Sequence, residues 1–182
     1  ILHQKTVFME KSFITSYADS PEIRKFIGRL SNPWLFRLFL LTKLPMAFLA
    51  GLRIKHIDTM TCQVSVPYRW LNQNPFKSTY FAVLSMAGEM ATGVIALMAI
   101  DWIKKPIAIL VVNLEADFTK KATDLSTFTF SKGDDFFEAV QKTVATGEAV
   151  TVTAESIGTN EAGEEVARFR VTWSLKARSK KS

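Results

Sequence analysis

Along this chain the spacing of hydrophobic positions changes repeatedly, and each change marks a new element. Ser20-Pro21-Glu22 is a helix start: Ser as N-cap, Pro at the first helical position and an acid in the first turn. Ile23, Phe26, Ile27 and Leu30 then recur at helical spacing and mark one apolar face. Asn32-Pro33 repeats the start signal. Residues 34–52 are apolar nearly all round, with Arg37 and Lys43 as their only charges; Pro45 breaks or restarts that helix and Gly51 can close it. From Leu52 the period becomes two. Leu52, Ile54, Met60, Cys62, Val64 and Val66 alternate with polar neighbours, and His56-Ile57-Asp58 marks a bend between two segments of one bent strand.

Residues 72–79 are a turn-forming stretch, Asn74-Pro75-Phe76-Lys77-Ser78 at its centre. They lead into residues 80–100, where only Ser85, Glu89 and Thr92 interrupt an apolar run. That run predicts a long buried helix. Lys104-Lys105-Pro106 breaks it, and alternation returns: Ala108, Leu110, Val112, Leu114, Ala116 and Phe118 fall on one face of a long strand. Residues 125–130 form another strand, rich in strand formers. Gly133-Asp134-Asp135 opens a short helix whose face is Phe136 or Phe137, Val140 and Val144, and Gly147 ends it. Residues 149–157 and 166–178 flank the polar turn 159–163 as a hairpin, with Ala167, Phe169, Val171, Trp173 and Leu175 facing one way.

The predicted order is a helical preface, a bent strand, one long apolar helix, and about four strands with a small helix inserted. A sheet apolar on one face beside an all-apolar helix reads as α+β, with the sheet wrapped around the helix. The boundaries expected are a helical extension over 1–51, the main domain over 52–178, and a disordered tail over 179–182.

Composition narrows this picture. A chain of 182 residues with 48% hydrophobic and 22% charged residues is globular and long enough for a sizeable core. The single cysteine, Cys62, excludes an internal disulfide, and with only His3 and His56 the zinc-site spacings are absent. Residues 1–12 carry no uninterrupted apolar segment and no small-residue cleavage site, so a cytoplasmic protein is expected. Residues 80–100 have the length of a membrane span. A carboxylate at a bilayer centre costs roughly 2.5–3.5 kcal/mol, and the strands need something apolar to cover, so a core helix is the better reading. For residues 34–49 three readings stand: a buried or subunit-covered helix pair, a lid over an acyl pocket, or a membrane-surface anchor.

Glu89 is the residue that asks for an explanation, because an ionisable group in apolar surroundings is costly to keep charged. Burial raises such a pKa and suits it to acid–base work near neutral pH. The alternative reading is a carboxylate satisfied by a strand amide or a neighbouring arginine. Asn74 shapes an Asn-Pro turn or orients a ligand. Ser78 is an N-cap for the long helix rather than a nucleophile, since no histidine lies nearby in sequence. The N–H groups of Thr79, Tyr80 and Phe81 stand at the helix N-terminus, where they can donate to a developing oxyanion. Tyr80 is also a candidate dimer wedge. Phe128 and Phe130 are candidates to line an apolar pocket.

The net charge of +6, with a pI near 9.5, sets Lys120, Lys121, Lys104, Lys105 and the Arg168, Arg170, Lys176, Arg178 face as candidates for phosphates, an acidic protein or anionic lipid, or as a solvated face. No recognition-helix signature or interleaved aromatic face supports nucleic-acid binding.

In this order of elements the chain resembles the hotdog-fold thioesterase superfamily, in the DUF4442 branch beside the phenylacetate-pathway (PaaI-like) thioesterases. The resemblance covers roughly residues 52–176. It rests on Asn74 in NPFKSTYF, the acid of LSMAGEMATG, the strand LVVNLEADFTKKA and the closing hairpin that ends in EEVARFRVTWSLK. It implies hydrolysis or binding of an acyl thioester, with coenzyme A or an acyl carrier protein as the thiol part and no separate cofactor. It also implies a homodimer or tetramer with the site at a subunit interface. Glu89 stands where the PaaI-like pattern has its helix acid, a general base or nucleophile, and Asn74 matches the loop Asn before the helix. Where that pattern has His-Gly-Gly, this chain has Tyr80-Phe81-Ala82. A non-catalytic acyl-binding protein and a hydratase are the rival readings.

Overall fold

The computed structural model describes residues 17 and 19–178. His3 and the tail over 179–182 lie outside the described residues. Three helices come first: α1 (Pro21–Ser31), α2 (Pro33–Lys43) and α3 (Pro45–Ala50). The hydroxyl of Ser20 accepts the Ile23 N–H at 3.2 Å, and the Asn32 side chain accepts from Trp34 and Leu35, so both helix starts are capped as their sequences direct. Gly51 closes α3 at φ 79°, a left-handed conformation that glycine adopts without a Cβ penalty.

The expected bent strand is instead two paired strands, β1 (Arg53–Ile57) and β2 (Cys62–Val66). The Asp58 carboxylate accepts the N–H groups of Met60 and Thr61, both at 2.7 Å, and this local turn reverses the chain into a hairpin. A short 3-10 turn (Trp70–Asn72) and the Asn74 loop then lead into α4 (Phe81–Ile103), followed by β3 (Ile107–Phe118), β4 (Ser126–Phe130), α5 (Asp134–Thr146), β5 (Ala149–Thr159) and β6 (Glu165–Ala177).

The six strands form one antiparallel sheet in the order β1-β2-β4-β5-β6-β3. It wraps α4, which packs against β2, β4, β5 and β6. Ile95 and Met98 are fully buried at the centre; a side chain of that size contributes about 1.5–3 kcal/mol on burial. By length and apolarity α4 is also a candidate membrane span, yet 72% of its most apolar stretch is buried inside the protein. Gly88 lets the sheet approach: a Cβ there would lie 2.6 Å from the Phe169 ring. The Ser156 hydroxyl donates to the Gly88 carbonyl at 3.0 Å across the same contact.

The helical extension closes the side of α4 that the sheet leaves open. Ile23, Phe36, Leu40, Ala47 and Ala50 join the same buried cluster as the strands. On β6 the inward residues are those the alternation predicts, Ala167 to Leu175.

Strand β3 departs from expectation. Its apolar face was expected to cover the core, but most of the strand is solvent-exposed, with Leu110 at 66% and Val112 at 52%. Two things cause this: β3 is an edge strand paired only with β6 that overhangs α4, and a bulge between Val111 and Asn113 puts Ala108 and Leu110 on the outer face beside Lys176 and Ser174, while Leu114, Ala116 and Phe118 share the inward side of β6.

Candidate active site

Two concavities hold the residues singled out from sequence. The larger is a cleft of about 560 Å³ at the N-terminus of α4, lined by Asn74, Phe76, Ser78, Thr79, Tyr80, Phe81, Phe118, Thr119, Lys120 and Lys121, among others. Its floor is the Asn74 loop. The Asn74 side-chain carbonyl accepts the N–H of Phe76 at 3.0 Å and of Ser78 at 3.2 Å, and its amide donates to the Ser78 hydroxyl at 3.0 Å. Lys77 sits at the apex in the left-handed region, φ 57°. The loop therefore consumes most of Asn74, leaving one amide hydrogen to point elsewhere.

Ser78 belongs to this loop and is not the cap of α4. Tyr80 occupies the N-cap position, and no side chain caps it. Of the three helix-entrance N–H groups proposed as oxyanion donors, two are occupied: Thr79 donates to the Ala122 carbonyl at 2.8 Å and Tyr80 to the Asn72 carbonyl at 2.7 Å. The Phe81 N–H has no acceptor among the described residues. Asn72, which the sequence reading did not single out, is the buried bracket of this entrance. Its side-chain amide donates to the carbonyls of Ala50 and Pro67, tying α3 to the start of α4.

Glu89 lies two turns further along α4, about 12 Å from the helix start. It lines a separate cavity of about 210 Å³ with Phe39, Leu44, Met90, Gly93, Val94, Leu97, Ile109 and Trp173. Neither a hydrogen bond nor an ion pair reaches its carboxylate among the described residues, and burial among these apolar side chains pushes its pKa above the ordinary carboxylate range. The wall is held in place by Thr92, whose hydroxyl accepts the Trp173 indole N–H at 2.9 Å and donates to the Glu89 backbone carbonyl at 2.8 Å. Phe39, Leu44 and Trp173 were not among the predicted site residues; their apolar character marks core and cavity wall alike.

Within one chain the structure thus brings Asn74, Ser78, Thr79, Tyr80, Phe81, Lys120 and Lys121 together and leaves Glu89 apart from them. Phe128 and Phe130 are in neither cavity. Both are buried in the core, Phe128 against Phe169 and Phe130 against Phe136, because β4 is an interior strand whose inward face meets α4 and α5. Lys120 pairs with Glu164 at 2.6 Å, while Lys121 reaches only the Phe76 carbonyl at 3.3 Å. Arg168 and Arg170 are engaged by Glu155, Glu165, Glu115 and Asp117 on the outer sheet face, so these two are charge-paired and not open to an anion, while Lys176 and Arg178 have no carboxylate partner among the described residues. His56 is exposed and paired with Asp58 at 2.8 Å, and it lines neither cavity. Among the described residues no group of His, Cys, Asp and Glu side chains is arranged to hold a metal ion.

An antiparallel sheet wrapped around one long apolar helix is the hotdog fold. The family described as a domain of unknown function, DUF4442, matches residues 32–175, and the chain belongs to that family. Solved structures share the fold. A Pseudomonas aeruginosa protein of unknown function, described as a probable thioesterase, is 16% identical with a TM-score of 0.65, over 80% of this chain and 97% of its own. A Chlorobaculum tepidum protein of unknown function is 14% identical with a TM-score of 0.69, over 83% and 99%. A Haemophilus influenzae thioesterase is 13% identical with a TM-score of 0.59, over 81% and 90%. At these identities the likeness speaks for the fold alone. No curated protein matches the chain.

Proposed function

We propose that this protein hydrolyses acyl thioesters of coenzyme A or an acyl carrier protein, at sites completed by a second copy of the chain. The observation that carries this reading is Glu89: an unpaired carboxylate in an apolar cavity, with its pKa raised by burial. Glu89 would deprotonate a water, which attacks the thioester carbonyl; the proton then goes to the departing thiolate as the carbon–sulfur bond breaks. The developing oxyanion needs a donor, and the Phe81 N–H and the remaining Asn74 amide hydrogen are the groups free to serve.

Those donors and Glu89 are apart in one chain, and the edge strand supplies the reason a pair would unite them. Ile109 lines the Glu89 cavity and Phe118 lines the Asn74 cleft, at opposite ends of β3 and about 30 Å apart along an extended strand. In a two-fold pair through β3, the strands run antiparallel, and the Phe118 end of one lies beside the Ile109 end of the other. Each site would then combine the cleft of one copy with the acid of its mate. The acyl chain has an apolar receptacle at hand: the Glu89 cavity shares Phe39, Val94 and Leu97 with a larger one of about 380 Å³ under α2, so α2 acts as a lid.

Thiol release from a series of acyl-coenzyme A substrates tests this. Wild-type protein is expected to turn over, and Glu89→Gln to lose about a hundredfold or more of that rate. Equal rates in the two proteins would remove Glu89 from the chemistry. One observation favours a second reading, acyl binding without hydrolysis: Thr79 and Tyr80 already spend their N–H groups inside the fold. Under that reading no substrate releases thiol, and acyl-coenzyme A raises the melting temperature of both proteins.

A further inference from the structure

Helix α2 is apolar on two sides. Phe36 and Leu40 are buried in the core, while Trp34, Leu38 and Leu41, spaced on one helical stripe, face solvent. The exposed surface continues onto α3 through Met46 and Leu49, and onto Trp70 and Leu71 of the 3-10 turn. That turn is fixed beside α3, because the Arg69 guanidinium donates to the Leu49 carbonyl and the Asn72 amide to the Ala50 carbonyl. Trp34 and Trp70 are 82% and 80% exposed, the two most open large apolar side chains among the described residues. A contiguous exposed apolar surface of this kind marks a place of contact.

The charges around it say what the contact is. Arg37 and Lys43 are the only charged residues of α2 and α3, and Arg29 lines the cavity beneath α2 beside Leu35 and Leu38. None of these three cations has a carboxylate partner among the described residues, whereas Arg168 and Arg170 on the outer sheet face are ion-paired. Arg37 lies over the Phe48 ring, 4.6 Å from its centroid, which holds a positive charge at the margin of the apolar surface. A second copy docking here about a two-fold axis would set cations against cations. An anionic bilayer complements both properties: aromatic and aliphatic side chains enter the headgroup boundary, tryptophan at the interface by preference, and unpaired cations meet lipid phosphate.

We infer that the outward face of α2 and α3, with the Trp70-Leu71 turn, is a docking surface for anionic phospholipid membranes. It places the chain on the bilayer and does not span it.

Vesicle flotation of the full chain tests this. The protein is expected to float with phosphatidylcholine vesicles that contain about 30 mol% phosphatidylglycerol, to stay behind with phosphatidylcholine alone, and to be released by added salt. Leu41→Glu/Met46→Glu, which touches neither cavity described above, is expected to cut flotation about tenfold with melting temperature and oligomeric mass unchanged. Should that variant fail to fold, the wild type still decides the matter: bilayers with brominated acyl chains are expected to quench the exposed tryptophans, Trp34 and Trp70, beyond the core-packed Trp102 and Trp173. Failure to float with anionic vesicles, absence of quenching, or undiminished flotation of the folded variant would each overturn the inference. So would a change of oligomeric mass in the variant, which would make the face a protein interface.

Discussion

Glu89 owes its raised pKa to what surrounds it and not to another charge. The sign of its effect on stability follows. The folded protein holds this proton to higher pH than the unfolded chain, whose glutamate titrates near the ordinary value of about 4.3. Stability contributed by the protonated form is therefore full below that value, is lost as pH rises through the raised folded pKa, and is flat beyond it. Glu89→Gln carries no such proton. It is expected to flatten this stretch of the stability curve and to melt higher than wild type at neutral pH; thermal melts of both proteins from about pH 4 to pH 8 check it. Parallel curves would mean that the carboxylate is effectively solvated. Cys62 is the opposite case. Burial, and secondarily the Asp58 charge, push its thiol up to about 12, so it stays an inert packing residue. Glu89 was legible as an oddity in the sequence because one polar residue in an apolar run needs no three-dimensional information to notice. That Asn74 spends its carbonyl on its own loop was not, since hydrogen bonds at two- and four-residue separation satisfy the same residue that a ligand would need.

At the scale of elements, the ends of α4 are less well finished than its middle. Tyr80 offers no side-chain cap, and the helix closes on Lys104 in a left-handed conformation, φ 54°. Left-handed geometry costs a residue with a Cβ roughly 1 kcal/mol relative to glycine. The exposed Lys104–Asp101 pair at 3.3 Å returns little of this. Lys104→Gly is thus expected to stabilise the protein by roughly 0.5–1 kcal/mol, read as a higher urea midpoint at unchanged slope. A lower midpoint would show that the lysine makes a contact worth more than the strain. The helices and most strands were readable because caps, glycines and hydrophobic period are local. The β1–β2 hairpin was misread as a bend because its turn is built by the Asp58 side chain and contains no Asn-Gly or Gly-Gly signal. The alternation in β3 reads as one unbroken apolar face, but a bulge between Val111 and Asn113 turns Ala108 and Leu110 outward beside Lys176 and Ser174 while Leu114, Ala116 and Phe118 stay on the inward side of β6, and such a bulge leaves no mark in a period-two pattern. Phe128 and Phe130 were placed in a pocket for a different reason: an inward aromatic is identical in sequence whether it meets a cavity or a packed helix.

At the scale of the molecule, the exposed edge of β3 is the seam of the proposed pair. A long exposed edge strand, here bulged once between Val111 and Asn113, offers unpaired backbone groups to another chain. Val112, near its middle, is expected to lie close to the two-fold axis of the proposed pair, so Val112→Lys would set two like charges together. That variant is expected to run as a monomer by light scattering and to lose thioester hydrolysis by about tenfold or more, with its melting behaviour otherwise native-like. Dimeric protein with full activity would place the subunit contact elsewhere.

The two edges of the sheet are unequal. At the far edge, β1 is five residues long, interrupted by a bulge between Ile54 and His56, studded with Arg53, Lys55 and His56, and covered by α1 and α2. Each of these features disfavours the addition of another strand. A sheet with two adhesive edges is bivalent and grows into a ribbon without limit. With one free edge among the described residues, each chain has a valence of one: the proposed pairing would use up that edge on both partners, and the surface that would seed a fibre would become its own chain terminator.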